Sequence, residues 1–273
     1  MDDCSEKDEG IVRHDPRHVL AWSETMANAP ADAAPSIAFW LPEGLNVALG
    51  LAQKPGIELE AQHMRDDGVG LVRRQSGGGA VLLYPGVLCW EAWAGFDVME
   101  RAGKGCSGIR ECYRFLCAPV VSSLASFGIP AFHAGICDIS VCLAGDETSQ
   151  AKKLAGTAQL RKRNAALVHG SLLVNPDLTL LNRYLKMPSQ EPDYRGGRKH
   201  GDFCTTVAKA AGSRTDAEGD VWMERVAASA ASIAKAAGWR IVAPPAALGG
   251  DAAKLYQSKY CDEGWNWDKR RAL

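Results

Sequence analysis

The sequence predicts an α+β fold, with a mixed, mostly antiparallel sheet and helices packed against it. Three observations carry that expectation. The 273 residues are 47% hydrophobic and 23% charged, with a formal net charge of -1, which suits a chain that buries a large core and excludes a disordered one. Short apolar runs separated by turn residues recur along the chain. Those runs and the helical stretches do not alternate as βαβ units would, so a parallel doubly wound sheet is not expected.

The elements follow in order. His18 to Ala29 has a helical pattern, and Pro30 to Ser36 forms a linker rich in Ala and Pro. Two strand-like runs, Ile37–Leu41 and Asn46–Leu51, flank Pro42-Glu43-Gly44. Ile57 to Asp67 reads as a helix closed by Gly68, the residue that most easily takes a left-handed cap. Val69–Arg73 and Ala80–Tyr84 read as strands on either side of Ser76-Gly77-Gly78-Gly79, and Val87–Phe96 as a third after the Tyr84-Pro85-Gly86 turn. Ser107 to Phe127 is expected as one long helix, because Ile109, Cys112, Tyr113, Leu116, Val120, Ser123 and Leu124 recur at spacings of three and four. Strands are expected near Ile129–His133, Ile139–Ala144, Lys153–Leu160 and Ala165–Val174. A short helix over Leu178–Leu185 follows Asp177 as N-cap. Lys186 to Asp202, rich in Pro, Gly and Arg, reads as an ordered loop. Asp216 to Ala237 reads as a helix ending at Gly238, before a last strand and short helix.

Several function classes are excluded. The longest uncharged stretch, Phe115 to Cys137, is broken by Pro119, Gly128 and Pro130 and by serines, so it is not a membrane span. A pI near 6.6 without blocks of like charge argues against a nucleic-acid footprint. The start, MDDCSEKDEG, lacks the apolar core of a secretory signal. Nine scattered cysteines with no CxxC point to reduced thiols and a cytoplasmic location, and exclude a zinc ribbon. Gly103-Lys104-Gly105-Cys106-Ser107-Gly108 matches GxGxxG but follows no strand and has no acid about 20 residues on, so it reads as a helix-entry turn. No Walker A motif occurs.

Two segments carry chemistry. In Arg73-Arg74-Gln75-Ser76-Gly77-Gly78-Gly79-Ala80-Val81, three glycines without Cβ atoms allow a ligand to approach the backbone. A neighbouring arginine can pair with phosphate or carboxylate; the plainer reading is a flexible hairpin loop. In Lys153-Leu154-Ala155-Gly156-Thr157-Ala158-Gln159, a lysine opens a run of small neutral residues, as an inward ammonium facing an anion would; an ordinary surface lysine is the equal alternative. Leu167-Val168-His169-Gly170-Ser171-Leu172-Leu173 follows it.

Together, RRxSGGGAV and KxxGxAQ…HGSLL resemble the lipoate–protein ligase, octanoyltransferase and biotin ligase superfamily, on its lipoate side. Gly50-Leu51-Ala52-Gln53 is similar to the family's G-x-x-Q, and Phe127-Gly128-Ile129 through Gly135-Ile136-Cys137-Asp138-Ile139 to its LGV…GxND(I/L). The resemblance spans about residues 37–187 and implies a biotin/lipoate ligase-like catalytic domain with an acyl-chain tunnel. It implies three parts: an N-terminal polar segment and helix over 1–30, the catalytic domain over 31–213, and a helical extension over 214–273 packed on the same domain. No full accessory domain is expected.

The activity implied is that of an ATP-dependent lipoate–protein ligase. Lipoate or octanoate attacks the α-phosphate of ATP with Mg2+, and the acyl group then passes from the adenylate to a lysine of a lipoyl carrier domain or a glycine-cleavage H-like protein. A separate accessory subunit is a further implied partner; no nucleic acid or membrane is. Carried over by position, Lys153 contacts the acyl oxygen and the α-phosphate. Arg74, Ser76 and the Gly77, Gly78, Gly79 backbone line the acyl and phosphate site, with Gly156, Thr157 and Ala158 beside them. Asp138 recognises the adenosine or Mg2+, and His169, Gly170 and Ser171 form the neighbouring wall. For His169, ligand contact and a hydrogen-bonded structural role both stay open.

The match departs in two places: Cys137 replaces the family's Asn, and Leu83 replaces a histidine often found after GGGAV. Tyr184 to Phe203 resembles a signature of one ligase-like subgroup, in which Arg195, Arg198 and His200 bind pyrophosphate or the carrier, or form a structural strap. The ending from Leu255 to Trp267 resembles that of single-domain members, some of them ligases and others octanoyltransferases. The alternative reading is therefore an octanoyltransferase that forms a thioester on a cysteine without ATP, with Cys137 as the candidate thiol. A non-catalytic acyl- or carrier-binding subunit is a third, against which the retained Lys153 argues.

Overall fold

The computed structural model describes residues 11–103, 108–143, 150–212 and 219–270. The glycine-rich match Gly103 to Gly108 lies largely outside them. The described strands are β1 (Arg13–His14), β2 (Ser36–Pro42), β3 (Asn46–Leu49), β4 (Gly70–Arg73), β5 (Val81–Leu83), β6 (Val87–Gly95), β7 (Phe132–Ala134), β8 (Asp138–Cys142), β9 (Ala151–Arg161), β10 (Ala165–Leu173) and β11 (Arg240–Val242). A large sheet has the order β1-β2-β6-β10-β9-β8-β7, with β11 also on β2. Its pairs are antiparallel from β2 to β7, and only β1 and β11 run parallel to β2. The small sheet β4-β3-β5 pairs β3 parallel to β4 and antiparallel to β5. The class is α+β, mostly antiparallel, with packed helices.

Strand β6 shows why the large sheet sits centrally. All nine of its residues are buried, which requires cover on both faces and explains a nearly continuous apolar run in place of alternation. Leu88, Trp90 and Ala92 join an outer core with Leu116, Leu124 and Val226, from helices Ile109–Leu116, Ala118–Ser126 and Gly219–Ala236. Cys89 and Trp93 join an inner core with the small sheet and helix Pro16–Met26. No described helix is long and apolar enough to cross a membrane, and the described cysteines form no disulfide.

The structure corrects two helices. The stretch expected as Ser107–Phe127 is two, meeting at Cys117. Pro119 is the reason: it lacks the N–H that would reach Phe115 and its ring crowds that carbonyl, so the chain restarts with Pro in the first turn. Ile57–Asp67 is likewise split into Pro55–Glu58 and Ala61–Asp66, because Leu59 is extended and bridges Leu185. The glycine segment is not a hairpin loop, since β4 and β5 do not pair. It arches over β3, which lies between them.

Candidate active site

A bulge sets the site. Asp138 pairs with Gly156 and Ile139 with Ala155, but Ser140 pairs with Lys153, leaving Leu154 as an extra residue. Leu154 and Ala155 therefore both enter the outer core, and Lys153 turns to the inner face beside Gly156. Strict alternation would put residues three apart on opposite faces. The ammonium lies over Gly156, where a Cβ would stand 3.0 Å from Lys153 Nζ. Glycine leaves the lysine tip that space, which a Cβ would crowd.

Lys153 Nζ is 2.8 Å from Asp138 Oδ1. The Tyr194 hydroxyl donates to Asp138 Oδ2 at 2.8 Å and lies 3.1 Å from Ser140 Oγ. Burial is the largest single influence on Lys153 and works to lower its pKa, but the Asp138 carboxylate, with Cys204 and Cys137 adding to it, turns the net shift upward. The Tyr194 phenol is pushed up by burial and then by Asp138. Thr157 pins the neighbouring residue: its N–H and Oγ1 donate to the Cys137 carbonyl at 2.9 and 2.6 Å. The Cys137 thiol is raised by burial and by Asp138, against the opposing pull of Lys153 and Arg74.

The glycine arch rests on Arg74, which is buried. Its Nη1 donates to Ala48 O at 2.9 Å, its Nη2 to Gly77 O and Gly79 O at 2.7 Å each, and its Nε to Gly77 O at 3.2 Å. Desolvation lowers its pKa to about 10, so it stays a cation at neutral pH. Expected as a phosphate-pairing arm, Arg74 instead spends most of its donors on the arch. Gly50 N–H donates to Gln53 Oε1 at 2.9 Å, and a Cβ at Gly50 would overlap Gly78 O, which gives the G-x-x-Q segment its physical sense. A Cβ at Gly77 or Gly79 would meet nothing within 4 Å; the arch is open above.

Arg74, Gly79, Cys137, Asp138 and Lys153 line one pocket with Gly156, Thr157 and Ala158, and His169, Gly170 and Ser171 close it. It encloses about 610 Å³ of empty space, its open mouth included. Ser76, Gly77 and Gly78 are not among its lining residues, and Ser76 is 1% exposed. Gly170 makes room for Trp90, whose ring a Cβ there would overlap. His169 Nδ1 is 2.5 Å from Glu91 Oε2.

Sequence reasoning missed Glu91 and Tyr194 as site residues. Glu91 carried a signal, a lone acid in an otherwise apolar strand; Tyr194 lies within the segment Tyr184 to Phe203 that resembles a subgroup signature, but only Arg195, Arg198 and His200 were given roles there. The strap reading fits its neighbours. Arg195 is buried, stacks 4.7 Å from the Phe203 ring and donates from Nε to Arg198 O at 2.9 Å. Arg198 donates from Nη2 to Tyr194 O at 2.7 Å, and His200 from Nε2 to Lys186 O at 3.0 Å. These bonds hold the loop that delivers Tyr194 to Asp138.

The family model of the lipoyl protein ligase A/B catalytic domain matches residues 15–230, and the chain belongs to that family of lipoate ligases and octanoyltransferases. It is 27% identical over 266 residues to octanoyltransferase LipM of Symbiobacterium thermophilum, covering 89% of this chain and 90% of that protein. Its fold matches the bi-partite lipoate protein ligase of Thermoplasma acidophilum with a TM-score of 0.72 at 22% identity, over 97% of this chain and 98% of that one. A lipoate-protein ligase A bound with ATP matches with a TM-score of 0.69 at 22% identity, over 95% and 98% of the two chains.

Proposed function

We propose that the chain is an ATP-dependent lipoate–protein ligase. It joins lipoate or octanoate to ATP as an acyl-adenylate, releasing pyrophosphate, and transfers the acyl group to a carrier-domain lysine with loss of AMP. The observation that carries this reading is the Lys153 ammonium, held by Asp138 at the head of a largely apolar pocket and facing a glycine arch. An ammonium has three donors. One goes to Asp138, and two remain to hold an acyl oxygen and an α-phosphate oxygen together while charge develops between them. The open face over Gly77 and Gly79 leaves the backbone accessible to phosphate. Arg74 contributes by fixing the arch and adding a buried positive charge. The apolar walls keep water from the anhydride.

Asp138 alone makes a poor Mg2+ site: each of its oxygens already takes a hydrogen bond, from Lys153 and from Tyr194, and among the described residues no group of three or more His, Cys, Asp or Glu side chains could hold a metal ion. The role of Asp138 in this proposal is to aim Lys153. The metal that accompanies ATP is assigned no ligand on this chain.

A second reading, the octanoyltransferase, is favoured by Cys137 lining the same pocket and by the likeness to LipM. Against it, burial and Asp138 hold that thiol above its ordinary range, whereas a transferase needs a thiolate. The test is to incubate the chain with lipoate or octanoate, ATP with Mg2+, and an apo carrier domain. Carrier acylation that requires ATP and survives Cys137→Ser supports the ligase. Acylation from an octanoyl-carrier thioester without ATP, lost in Cys137→Ser, overturns it in favour of the transferase. Activity that appears only when a second protein is added identifies an accessory subunit.

A further inference from the structure

Three glycines in a row have little order of their own, because glycine loses more backbone freedom on folding than any other residue. Gly77, Gly78 and Gly79 are exposed, so the shape of the arch is set by what grips the residues beside them. Arg74 grips it from within. A second grip comes from behind, out of the C-terminal segment. Lys259 Nζ donates to Gln75 Oε1 at 2.5 Å and to Glu24 Oε2 at 2.7 Å, and it lies 4.4 Å from the centroid of the Trp265 ring. The Tyr260 hydroxyl donates to the same Glu24 oxygen at 2.7 Å. Burial and then Glu24 push the Tyr260 phenol well above its ordinary value, so it stays a donor.

The backbone that presents Lys259 is itself uncommon. Cys261 N–H donates to Tyr256 O, five residues back, at 2.9 Å and closes a single π turn over Tyr256–Tyr260. Such turns are rare and gather at functional sites. The side chains of Lys259 and Glu24 are only 15% and 12% exposed, so water and salt screen the pair little. Glu24 already balances the ammonium's charge. The bond to the neutral Gln75 amide adds no charge balance; it fixes where residue 75 stands. Next to Gln75 is Ser76, whose carbonyl accepts from Leu51 N–H at 2.9 Å, and the glycines begin one residue further on. Neither Lys259 nor Gln75 lines the pocket.

Resting on the reading that the arch meets the nucleotide phosphates, we infer that Lys259 is a positioning residue, which acts through Gln75 to hold the arch in its phosphate-accepting shape and touches no substrate. Glu24 and Tyr260 orient its ammonium. Nucleotide affinity is thus set in part from the C-terminal segment, and acyl affinity is not.

ATP–pyrophosphate exchange in Lys259→Met, which nearly keeps the side-chain length and removes the charge, reads this split. KM for ATP should rise about tenfold, the factor of one charge-assisted hydrogen bond, while KM for octanoate stays within about twofold. Gln75→Leu removes the acceptor and should do the same. The double variant should be no worse than either single one, because both changes break one link. Hydrogen exchange at the Leu51 amide is a readout independent of catalysis, and it should quicken in both variants, since its acceptor Ser76 O moves with Gln75. An unchanged KM for ATP, a KM for octanoate that rises with it, effects that add in the double variant, or an unchanged Leu51 amide each overturns the inference and leaves the ligase reading standing. A wild-type chain that acylates its carrier without ATP overturns the ligase reading, and with it the nucleotide role given to Lys259. Should Lys259→Met fail to fold, Gln75→Leu, at a half-buried position, decides alone.

Discussion

Lys153 concentrates the chemistry in one side chain, and the structure says what each neighbour does for it. Asp138 aims the ammonium, Gly156 gives it room, and Tyr194 holds the second Asp138 oxygen. Lys153→Ala should therefore leave the fold intact but lower acyl-adenylate formation about 100- to 1000-fold, measured as ATP–pyrophosphate exchange. Unchanged exchange would remove the proposed role. Gly156→Ala is the subtler probe. The new methyl would stand 3.0 Å from Nζ and 3.2 Å from Cε, so the flexible lysine tip must yield while the backbone stays. Exchange should drop about 10- to 100-fold with the melting temperature unchanged. Of these residues, Lys153 was half legible in the sequence: a cation opening a run of small neutral residues fits an inward ammonium as well as a surface one, and the family resemblance decided between them. Tyr194 was not, since nothing local distinguishes a tyrosine in a Pro- and Gly-rich loop that reaches Asp138 from 56 residues away.

At the scale of elements, what sequence periodicity reports is local, and the site depends on two features that are not. The bulge at Leu154 is one: the strand Lys153–Leu160 was legible from its residue types, but which face Lys153 takes is decided by pairing with β8. The glycine arch is the other. Its three glycines were visible as a place where backbone meets ligand, yet its path over β3 follows from a strand order that no short window contains. Pro119 was visible too, and its power to restart a helix was outweighed in the reading by good apolar spacing on either side. The arch yields a prediction of its own. A methyl at Gly50 would overlap a backbone carbonyl, Gly78 O, which cannot swing aside as a side-chain tip can. Gly50→Ala should cost about 1–3 kcal/mol in urea unfolding and weaken nucleotide binding along with it; a change in neither would show that the arch tolerates displacement.

The whole molecule is tied together by Arg73, the partner in the basic pair that does not face the pocket. Its Nε and Nη2 donate to Trp265 O and Trp267 O at 3.0 and 3.1 Å, its Nη1 reaches Gln53 O at 2.7 Å, and Trp265 Nε1 returns a bond to Arg73 O at 2.9 Å. The C-terminal segment thus braces the strand that leads into the arch. Removing residues 263–273 would leave a buried guanidinium half-partnered, at a cost of about 3–5 kcal/mol, readable as a lowered urea midpoint. Acid should strain the molecule by a separate route. His14, His133 and His200 all titrate below the ordinary 6.5, with burial the largest cause for each. Between 6.5 and those lowered values the unfolded chain binds more protons than the folded one, so stability rises with pH. It is complete above the unfolded value and is lost as pH falls through the window. The melting temperature should therefore decline from pH 7 to about pH 5, above the range where ordinary carboxylates titrate. His200 donates to Lys186 O, a bond that a glutamine amide can also make without taking up a proton. His200→Gln should accordingly flatten that decline, and an equally steep loss in the variant would assign the acid sensitivity to other groups.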